Sequence, residues 1–463
     1  MKKVIQFTLS ICFLIGFCFT LQAQEEALSP AFKEAAIGEL SKLMNDFYIF
    51  PEVAKTTSEH LNSQLAAGHF NQFKILASFS EALTTEAQSI NKDKHLLIRP
   101  SRPMEAKENS TEGMFERHMY QMAFDRSNAG GFKAAKKLEG NVGYFDIRSF
   151  ANLWAGKAYT DSYMQLVSTS DALIIDLRKN GGGDPAMVQY LCSYFFDKKV
   201  HLNSLYYREG DRTQEYWTLD KVDGEKMPDI PLFVLTSEKT FSGAEEFSYN
   251  MQTQKRATLV GETTGGGANP VRFLRINEQI EVYMPIGKAI NPITKTNWEG
   301  VGVIPEIKTA AKDALTKAHE LAKVAAKKSR ETIQQKQKAL SDELVNSLDS
   351  FDPTTGATTV YENLKKCTKA GLVREGLING MGYEYLMSFQ KPVVAEAIFK
   401  ANTLLFPESA NVFDSYAETL AANGQLKAAA ENYQKAVDLA KANENADLKL
   451  FMENLEKVKA RMD

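Results

Sequence analysis

Residues 231–270 read PLFVLTSEKTFSGAEEFSYNMQTQKRATLVGETTGGGANP, and this stretch decides the fold. The apolar run from Leu232 to Leu235 is typical of a buried strand, and Glu245 to Gln254 continues as a helix. The corner between them consists of small residues and contains Ser242 and Gly243. A strand-to-helix turn of this kind exposes one hydroxyl and points the next backbone N–H at whatever that oxygen attacks. Ser242 is therefore a candidate nucleophile, and the alternative is a serine that only caps the helix.

A second corner of the same construction lies upstream. Ala172 to Leu177 is typical of a buried parallel strand, and it runs into RKNGGGDP at 178–185 before an apolar helix from Ala186 to Phe196. Consecutive glycines let backbone amides approach a ligand closely. A phosphate-binding loop would be followed by a lysine and a hydroxyl residue, which are absent here. Two alternatives remain: a tight turn, or an oxyanion hole formed by the amide of Gly182 or Gly183 with that of Gly243.

Two shorter segments complete a pattern with these corners. They read DKHL at 93–96 and WEGVGVIPE at 298–306. In this order and spacing the four segments resemble the C-terminal processing (tail-specific) serine peptidases, in the branch related to the tricorn core protease and interphotoreceptor retinoid-binding protein. The resemblance runs from about Phe32 to Thr309. It implies a crotonase-like α/β catalytic core.

The resemblance also implies a role for each matching residue. Ser242 matches the family nucleophile, and His95 matches the general base of the tricorn-like branch. Glu299 matches the glutamate that orients and charge-stabilises that histidine. The amides of Gly243 and of the Gly182–Gly183 corner match the oxyanion donors. The chain order of histidine, serine and glutamate is uncommon, but a triad is defined by geometry. No cofactor and no metal are implied.

Two departures from the family pattern limit the mechanism. Many members use a serine–lysine dyad with the lysine in the segment that here reads GETTGGG at 261–267, and this segment contains no lysine. The tricorn core protease also has a serine just before its histidine, where this chain has Lys94. A fourth member of the catalytic network is therefore missing or comes from elsewhere. Lys94 is either solvated or lowers the pKa of His95 by like-charge repulsion.

The base and its partner each have a plain alternative. A lone histidine is more often structural or exposed than catalytic, although the D-x-H-L context favours catalysis for His95. A glutamate beside a tryptophan, such as Glu299, is frequently a surface residue. We expect Glu245, Glu246 and Glu262 to be helix-face or structural carboxylates.

The N-terminus predicts export. Lys2 and Lys3 precede an apolar run from Val4 to Leu21 and a small-residue exit, so residues 1–23 read as a signal peptide cleaved after Ala23. A membrane anchor is the alternative, but the run is short for a spanning helix. Neither cysteine of this segment follows the small residues that a lipid-attachment signal requires. We expect a periplasmic or secreted protein with no integral membrane segment after cleavage.

Cysteine usage and charge exclude several classes of protein. Removal of the signal leaves Cys192 and Cys367, which have no metal-binding spacing and do not imply a disulfide. Loss of Lys2 and Lys3 with the signal moves the formal net charge from −3 to −5. This mild acidity gives no reason to expect nucleic acid as a partner.

The remaining chain divides into four regions. Residues 24–100 predict an N-terminal helical cap that ends in the D-x-H motif, with one helix from Phe32 to Phe47. Residues 101–309 alternate strands and helices and predict a largely parallel sheet. The roughly forty residues between His95 and the strand Val142 to Ile147 are too few for a PDZ insertion. Residues 310–348 read as a long helical linker.

Residues 349–463 predict a tetratricopeptide-like helical region. Ala395 and Ala429 are separated by 34 residues, as are Phe399 and Tyr433, which is the period of that repeat. An ordinary helical hairpin is the alternative. Because a short array buries little surface alone, we expect it to bind a protein partner.

Two function classes follow from these observations. The first is an exported serine-type peptidase that cleaves peptides or protein tails through an acyl-enzyme on Ser242. The second is a catalytically weak or inactive protein that binds peptides or apolar ligands on the same fold. The presence of Ser242, His95 and Glu299 together favours the enzyme.

Overall fold

The computed structural model describes residues 27–101 and 110–462. The chain forms two compact units, one that ends at Ala326 and one that begins at Lys327. The predicted signal peptide lies outside the described residues. None of the helices within the described ranges is long and apolar enough to cross a membrane.

The described residues form twelve strands and fourteen α-helices. The strands are β1 (Leu97–Pro100), β2 (Phe132–Leu138), β3 (Val142–Ile147), β4 (Ala172–Asp176), β5 (His201–Tyr207), β6 (Arg212–Trp217), β7 (Leu232–Thr236), β8 (Thr258–Gly261), β9 (Val271–Arg275), β10 (Ile280–Pro285), β11 (Gly287–Ile290) and β12 (Ile307–Lys308). The helices are α1 (Pro30–Phe47), α2 (Pro51–Ala66), α3 (Leu76–Asn91), α4 (Thr111–Ser127), α5 (Leu153–Val167), α6 (Pro185–Ser193), α7 (Gly243–Thr253), α8 (Ala314–Asp349), α9 (Gly356–Lys369), α10 (Glu375–Tyr383), α11 (Pro392–Leu405), α12 (Ala410–Ala422), α13 (Leu426–Ala442) and α14 (Leu448–Lys459).

The N-terminal region is helical, as predicted. Helix α1 begins where Ser29 Oγ accepts the backbone N–H of Phe32 at 3.1 Å, and prolines occupy the first positions of α1 and α2. The apolar faces of α1, α2 and α3 share a core that contains Leu40, Leu61 and Phe79, all fully buried. This core gives the D-K-H-L segment, which follows α3 directly, a fixed point of attachment.

The central sheet of the first unit has the strand order β12-β8-β7-β4-β3-β2. All neighbours are parallel except β2, which pairs antiparallel with β3. The predicted largely parallel sheet is therefore confirmed. Every residue of β4 and β7 is buried, and the two strands are adjacent, with Ile175 opposite Val234. Because both strands end at the same edge, the two corners identified in the sequence lie side by side.

Two three-stranded antiparallel sheets, which the sequence did not predict, complete the first unit. Their orders are β1-β10-β9 and β11-β5-β6. Strand β1 follows His95 within two residues and pairs with β10, with Ile98 opposite Val282. Strand β9 begins just after the glycine-rich segment 265–267. This small sheet therefore carries His95 toward the glycine-rich segment.

Each face of the central sheet is covered by helices. One face packs against α6 and α7 through residues such as Leu191 and Phe247. The other packs against the first part of α8, where Ala314, Ala318, Ala322 and Ala326 recur every four residues and are fully buried. Small side chains at this spacing form one helical face and let the helix lie close to the strands.

The second unit is entirely helical and contains helices α9 to α14. Ala395 and Phe399 on α11, and Ala429 and Tyr433 on α13, are all buried in its two hydrophobic cores. The positions picked out by the 34-residue period therefore serve as core positions. Cys192 on α6 and Cys367 on α9 are both free and buried.

Candidate active site

Ser242 occupies a strained turn between β7 and α7. Its backbone has φ 53° and ψ −120°, a left-handed conformation that residues other than glycine rarely adopt. Such strain persists only where surrounding contacts hold it, and it concentrates at functional sites. The backbone N–H of Ser242 donates to Glu245 Oε2 at 2.9 Å, one turn into the helix. The geometry is the sharp strand-to-helix elbow predicted from the sequence.

The glycine corner is hydrogen-bonded to the serine turn. The N–H of Phe241 donates to the carbonyl of Asn180 at 3.0 Å, and Thr240 Oγ1 donates to the carbonyl of Leu177 at 2.8 Å. A Cβ added to Gly182, where φ is 104°, would lie 2.8 Å from the backbone nitrogen of Gly243. The two corners are thus in backbone contact, and that approach requires glycine at 182.

The structure distinguishes between the two predicted oxyanion donors of this corner, Gly182 and Gly183. The N–H of Gly182 already donates to Asn180 Oδ1 at 2.8 Å. The nitrogen of Gly183 lies 3.1 Å from the position that a Cβ of Gly243 would occupy, and both residues border the same small cavity as Ser242. The amides of Gly183 and Gly243 are therefore the better placed pair. Gly182 contributes the close approach of the two corners.

His95 reaches the serine turn through Phe241. The two rings have their centroids 4.6 Å apart, and a Cβ added to Gly267 would lie 2.6 Å from His95 Cε1. Phe241 precedes Ser242 in the chain, and Gly267 borders the same cavity as Ser242. Burial lowers the pKa of His95 to about 4. At neutral pH the imidazole is uncharged, the form that can accept a proton.

Glu299 lies beside His95. Its Oε2 accepts the backbone N–H groups of Ala268 at 2.6 Å and Asn269 at 3.2 Å. Its Oε1 and the Nδ1 of His95 are buried and have no hydrogen-bond partner among the described residues. Burial, reinforced by the charge of Asp93, raises the pKa of Glu299 to about 8. A small movement would allow a protonated Glu299 to hold the imidazole in one orientation, as catalytic hydrogen bonds often tighten only with substrate bound.

Asp93 is the residue whose role the sequence did not reveal. Ligand-type atoms of Asp93, His95 and Glu299 all lie within 4.8 Å of one another. Asp93 is 1% exposed, and its carboxylate accepts the hydroxyl of Tyr48 at 3.2 Å, the amide of Asn269 at 2.8 Å and the backbone N–H of His95 at 3.0 Å. The D-x-H spacing places Asp93 near the histidine. Tyr48 and Asn269 are remote in sequence, so nothing in the sequence connects them.

This cluster offers few free atoms to a cation. Both oxygens of Asp93 and Oε2 of Glu299 already accept hydrogen bonds. The arrangement suits proton transfer and orientation of the imidazole better than metal coordination.

Lys94 binds the glycine-rich segment. Its Nζ donates to the carbonyl of Gly265 at 2.6 Å, in an exposed position. This bond fastens the D-K-H-L turn to the glycine-rich segment. Lys94 therefore helps to hold the turn that carries His95.

A buried carboxylate joins the serine turn to the glycine-rich segment. Glu245 is fully buried and accepts hydrogen bonds from four groups: the N–H of Ser242, the hydroxyl of Thr264, and the N–H groups of Gly266 at 2.6 Å and Gly267 at 2.8 Å. Burial raises the pKa of Glu245, while these donors lower it. Glu245 is thus a structural carboxylate that fixes the two segments bordering the site.

Comparison with known proteins gives two family matches. Residues 141–309 match peptidase family S41, and residues 28–126 match the N-terminal domain of peptidase S41 in eukaryotic IRBP. The two ranges together span more than half of the chain.

Individual relatives are distant. A carboxyl-terminal-processing protease of Synechocystis sp. is 27% identical over 36% of this chain and 37% of its own length. The chain therefore spans less than half of the length of this curated relative. A candidate peptidase from Parabacteroides merdae is similar in structure with a TM-score of 0.46, 19% identity, and coverage of 63% of this chain and 96% of its own. The tricorn protease gives a TM-score of 0.38 at 16% identity, with coverage of 65% of this chain and 37% of its own. The two family matches, which together span more than half of the chain, identify it as a member of peptidase family S41.

Proposed function

We propose that this protein is an exported serine-type peptidase of the C-terminal processing kind, built on a crotonase-like core. The observation that carries the proposal is the strained Ser242 elbow, which packs against the Gly182–Gly183 corner and has His95 beside it through Phe241. A residue held in a sparsely populated conformation between a base and two convergent backbone amides has the composition of an acyl-transfer site.

The proposed reaction follows from these positions. Ser242 Oγ attacks the carbonyl carbon of a peptide bond while His95 takes the hydroxyl proton. The developing oxyanion accepts the N–H groups of Gly183 and Gly243. His95 then gives the proton to the leaving amine, and an acyl-enzyme remains on Ser242. Water attacks the ester with the same base and restores the free serine.

Glu299 acts on the base in this scheme. Its Oε2 is fixed by the amides of Ala268 and Asn269, so the rest of the carboxyl group has a defined position beside the imidazole. With its pKa raised to about 8 the carboxyl is neutral at pH 7, so its contribution is to keep His95 in one orientation rather than to pair with the charge of the imidazolium. Asp93 holds the same residue through its backbone, because its carboxylate accepts the N–H of His95.

The two remaining parts of the proposal concern location and partners. A charged start, an apolar run and the small-residue exit at Ala23 support export to the periplasm or outside the cell. The helical second unit, with the buried 34-residue period, supports tetratricopeptide-like docking of a protein partner or substrate.

A fluorophosphonate probe tests the proposed chemistry. It should label the wild-type protein at Ser242, and Ser242→Ala and His95→Ala should each abolish peptide hydrolysis while circular dichroism stays unchanged. The double variant should be little worse than either single variant, because the two residues act as one unit. An unlabelled, folded wild-type protein would instead support the alternative of a binding protein without catalysis.

A further inference from the structure

A small, half-open cavity adjoins the serine elbow. It has a volume of about 40 Å³. Ser242, Gly243 and Gly183 line it, together with Pro185, Leu205, Glu246, Gly267, Ala268, Pro270, Ala289 and Trp298. Because the nucleophile and both oxyanion donors border it, a carbonyl attacked by Ser242 would place its own side chain there.

The walls of this cavity are fixed. Trp298 is 2% exposed and its indole N–H donates to the carbonyl of Gly267 at 2.7 Å. Leu205 and Ala289 are buried and face each other in register between β5 and β11. Rigid walls cannot retreat to admit a larger group without breaking these contacts.

The volume sets the size of the group that fits. A cavity needs about 10–15 Å³ to hold one water molecule. The observed volume therefore accommodates a side chain of up to about three heavy atoms, such as a methyl or a CH₂OH group. The side chains of leucine, phenylalanine, lysine and arginine are too large.

One wall of the cavity carries an acid. Glu246, one turn after Ser242 on α7, is 5% exposed. Burial raises the pKa of its carboxyl to about 7, and the side-chain amide of Asn203 offsets part of that rise. Asn203 is fully buried on β5, and both polar atoms of its side chain lack a hydrogen bond of good geometry among the described residues. A buried polar pair that is incompletely satisfied costs free energy unless a further group completes it.

We propose that this cavity binds the side chain of the acyl residue, the residue whose carbonyl is attacked, and that Glu246 selects a short side chain with a hydroxyl or thiol group. Serine and cysteine fit the volume, and their O–H or S–H donates to the Glu246 carboxyl. Alanine fits but leaves the carboxyl without this donor. The inference rests on the proposed peptidase function and adds a substrate preference to it.

The preference is measurable with a matched series of peptides. The peptides differ only in the acyl residue, which is serine, alanine, valine or leucine, and kcat/KM is measured for each on the full-length protein. A hydrogen bond to a charged group typically contributes enough for a factor of ten or more. We expect the serine peptide to exceed the alanine and valine peptides, which offer no donor, about tenfold, with the leucine peptide below all three. A serine-to-alanine ratio near one, or a preference for leucine, would overturn the proposal.

Two substitutions of Glu246 separate hydrogen bonding from packing. Glu246→Leu removes the acceptor and should bring the serine-to-alanine ratio to about one. Glu246→Gln keeps an uncharged acceptor and should retain part of the preference. An unchanged ratio in Glu246→Leu would show that Glu246 does not read the substrate.

A variant of the opposite wall tests the size limit independently. Leu205→Ala enlarges the cavity and should raise kcat/KM for the leucine peptide relative to the alanine peptide by at least tenfold. No change in this ratio would place the acyl side chain elsewhere. Labelling of Ser242 by a fluorophosphonate is measured in every variant, because it reports the proposed chemistry separately. Normal labelling with the wrong preference refutes only the inference about specificity, whereas absent labelling in the wild type refutes the proposed function.

Discussion

Gly267→Ala should displace His95, the proposed base. The added Cβ would lie 2.6 Å from His95 Cε1 and would also meet the ring of Phe241. Ordinary van der Waals contact between such atoms requires 3.4–4 Å. One of the partners must therefore move by about 1 Å, and a misplacement of this size at a catalytic group costs roughly 10²-fold in rate.

The backbone of Gly267 cannot absorb the strain easily. Its N–H donates to Glu245 Oε2 at 2.8 Å and its carbonyl accepts the indole N–H of Trp298 at 2.7 Å. Both partners are buried, so the peptide groups are held on both sides. The rings of His95 and of Phe241, which precedes Ser242, are then the groups that yield. We expect kcat/KM to fall about 10²-fold, with a parallel fall in the rate of fluorophosphonate labelling of Ser242.

Gly181→Ala provides the matched control. Gly181 lies in the glycine corner, but a Cβ there meets nothing within 4 Å, and its φ lies outside the left-handed region. This variant should therefore keep the wild-type labelling rate. Thermal denaturation of both variants reports whether the fold is intact. Wild-type labelling by a folded Gly267→Ala protein would refute the placement of His95 as the base.

Three further predictions address the surroundings of the base. Glu299→Gln should flatten the dependence of Tm on pH between 5 and 9. Folding raises the pKa of Glu299 from 4.5 to about 8. The contribution of this carboxyl group to stability is therefore present below pH 4.5 and is lost as the pH rises toward 8. Equal slopes in both proteins would contradict this. Asp93→Asn should lower the free energy of unfolding in urea by about 1–3 kcal/mol, because an amide N–H₂ would face existing donors. Tyr48→Phe should lower it by less. An unchanged free energy of unfolding in Asp93→Asn would show that Asp93 does not stabilise this network. A protein that ends at Ala326, the end of the first compact unit, should keep labelling of Ser242 but lose activity on a protein substrate, and loss of labelling by a folded truncated protein would place part of the site in the second unit.

The sequence predicts the central sheet well because its signals are local. Strands β4 and β7 are short continuous apolar runs that end in glycine or small-residue corners, and a parallel sheet brings such ends to one edge. The position of Ser242 in a strained elbow follows from the same local pattern. The predicted bounds of these strands differ from the observed ones by at most one residue.

Local sequence signals do not predict the two antiparallel sheets or the polar contacts around His95. Strand β1 is four residues long and pairs with β10, which lies far away in the sequence. The bonds of Asp93 to Tyr48 and Asn269 likewise join segments separated by 45 and 176 positions. Periodicity describes only neighbouring residues, so contacts of this kind emerge only from the complete packing. The occupied N–H of Gly182 is a similar case, because three successive glycines look alike in sequence.

The left-handed backbone of Ser242 lowers the stability of this protein at the residue that its proposed activity requires. A residue other than glycine in such a conformation costs on the order of 1–3 kcal/mol, a considerable part of the net stability of a domain. Glycine would relieve this strain at position 242 and would weaken the helix cap by only a few tenths of a kcal/mol. Selection for thermal stability alone would therefore favour glycine at position 242, with loss of the proposed nucleophile. Under the proposed function the strain at residue 242 is the cost of the nucleophile, so engineering for thermostability should leave Ser242 unchanged.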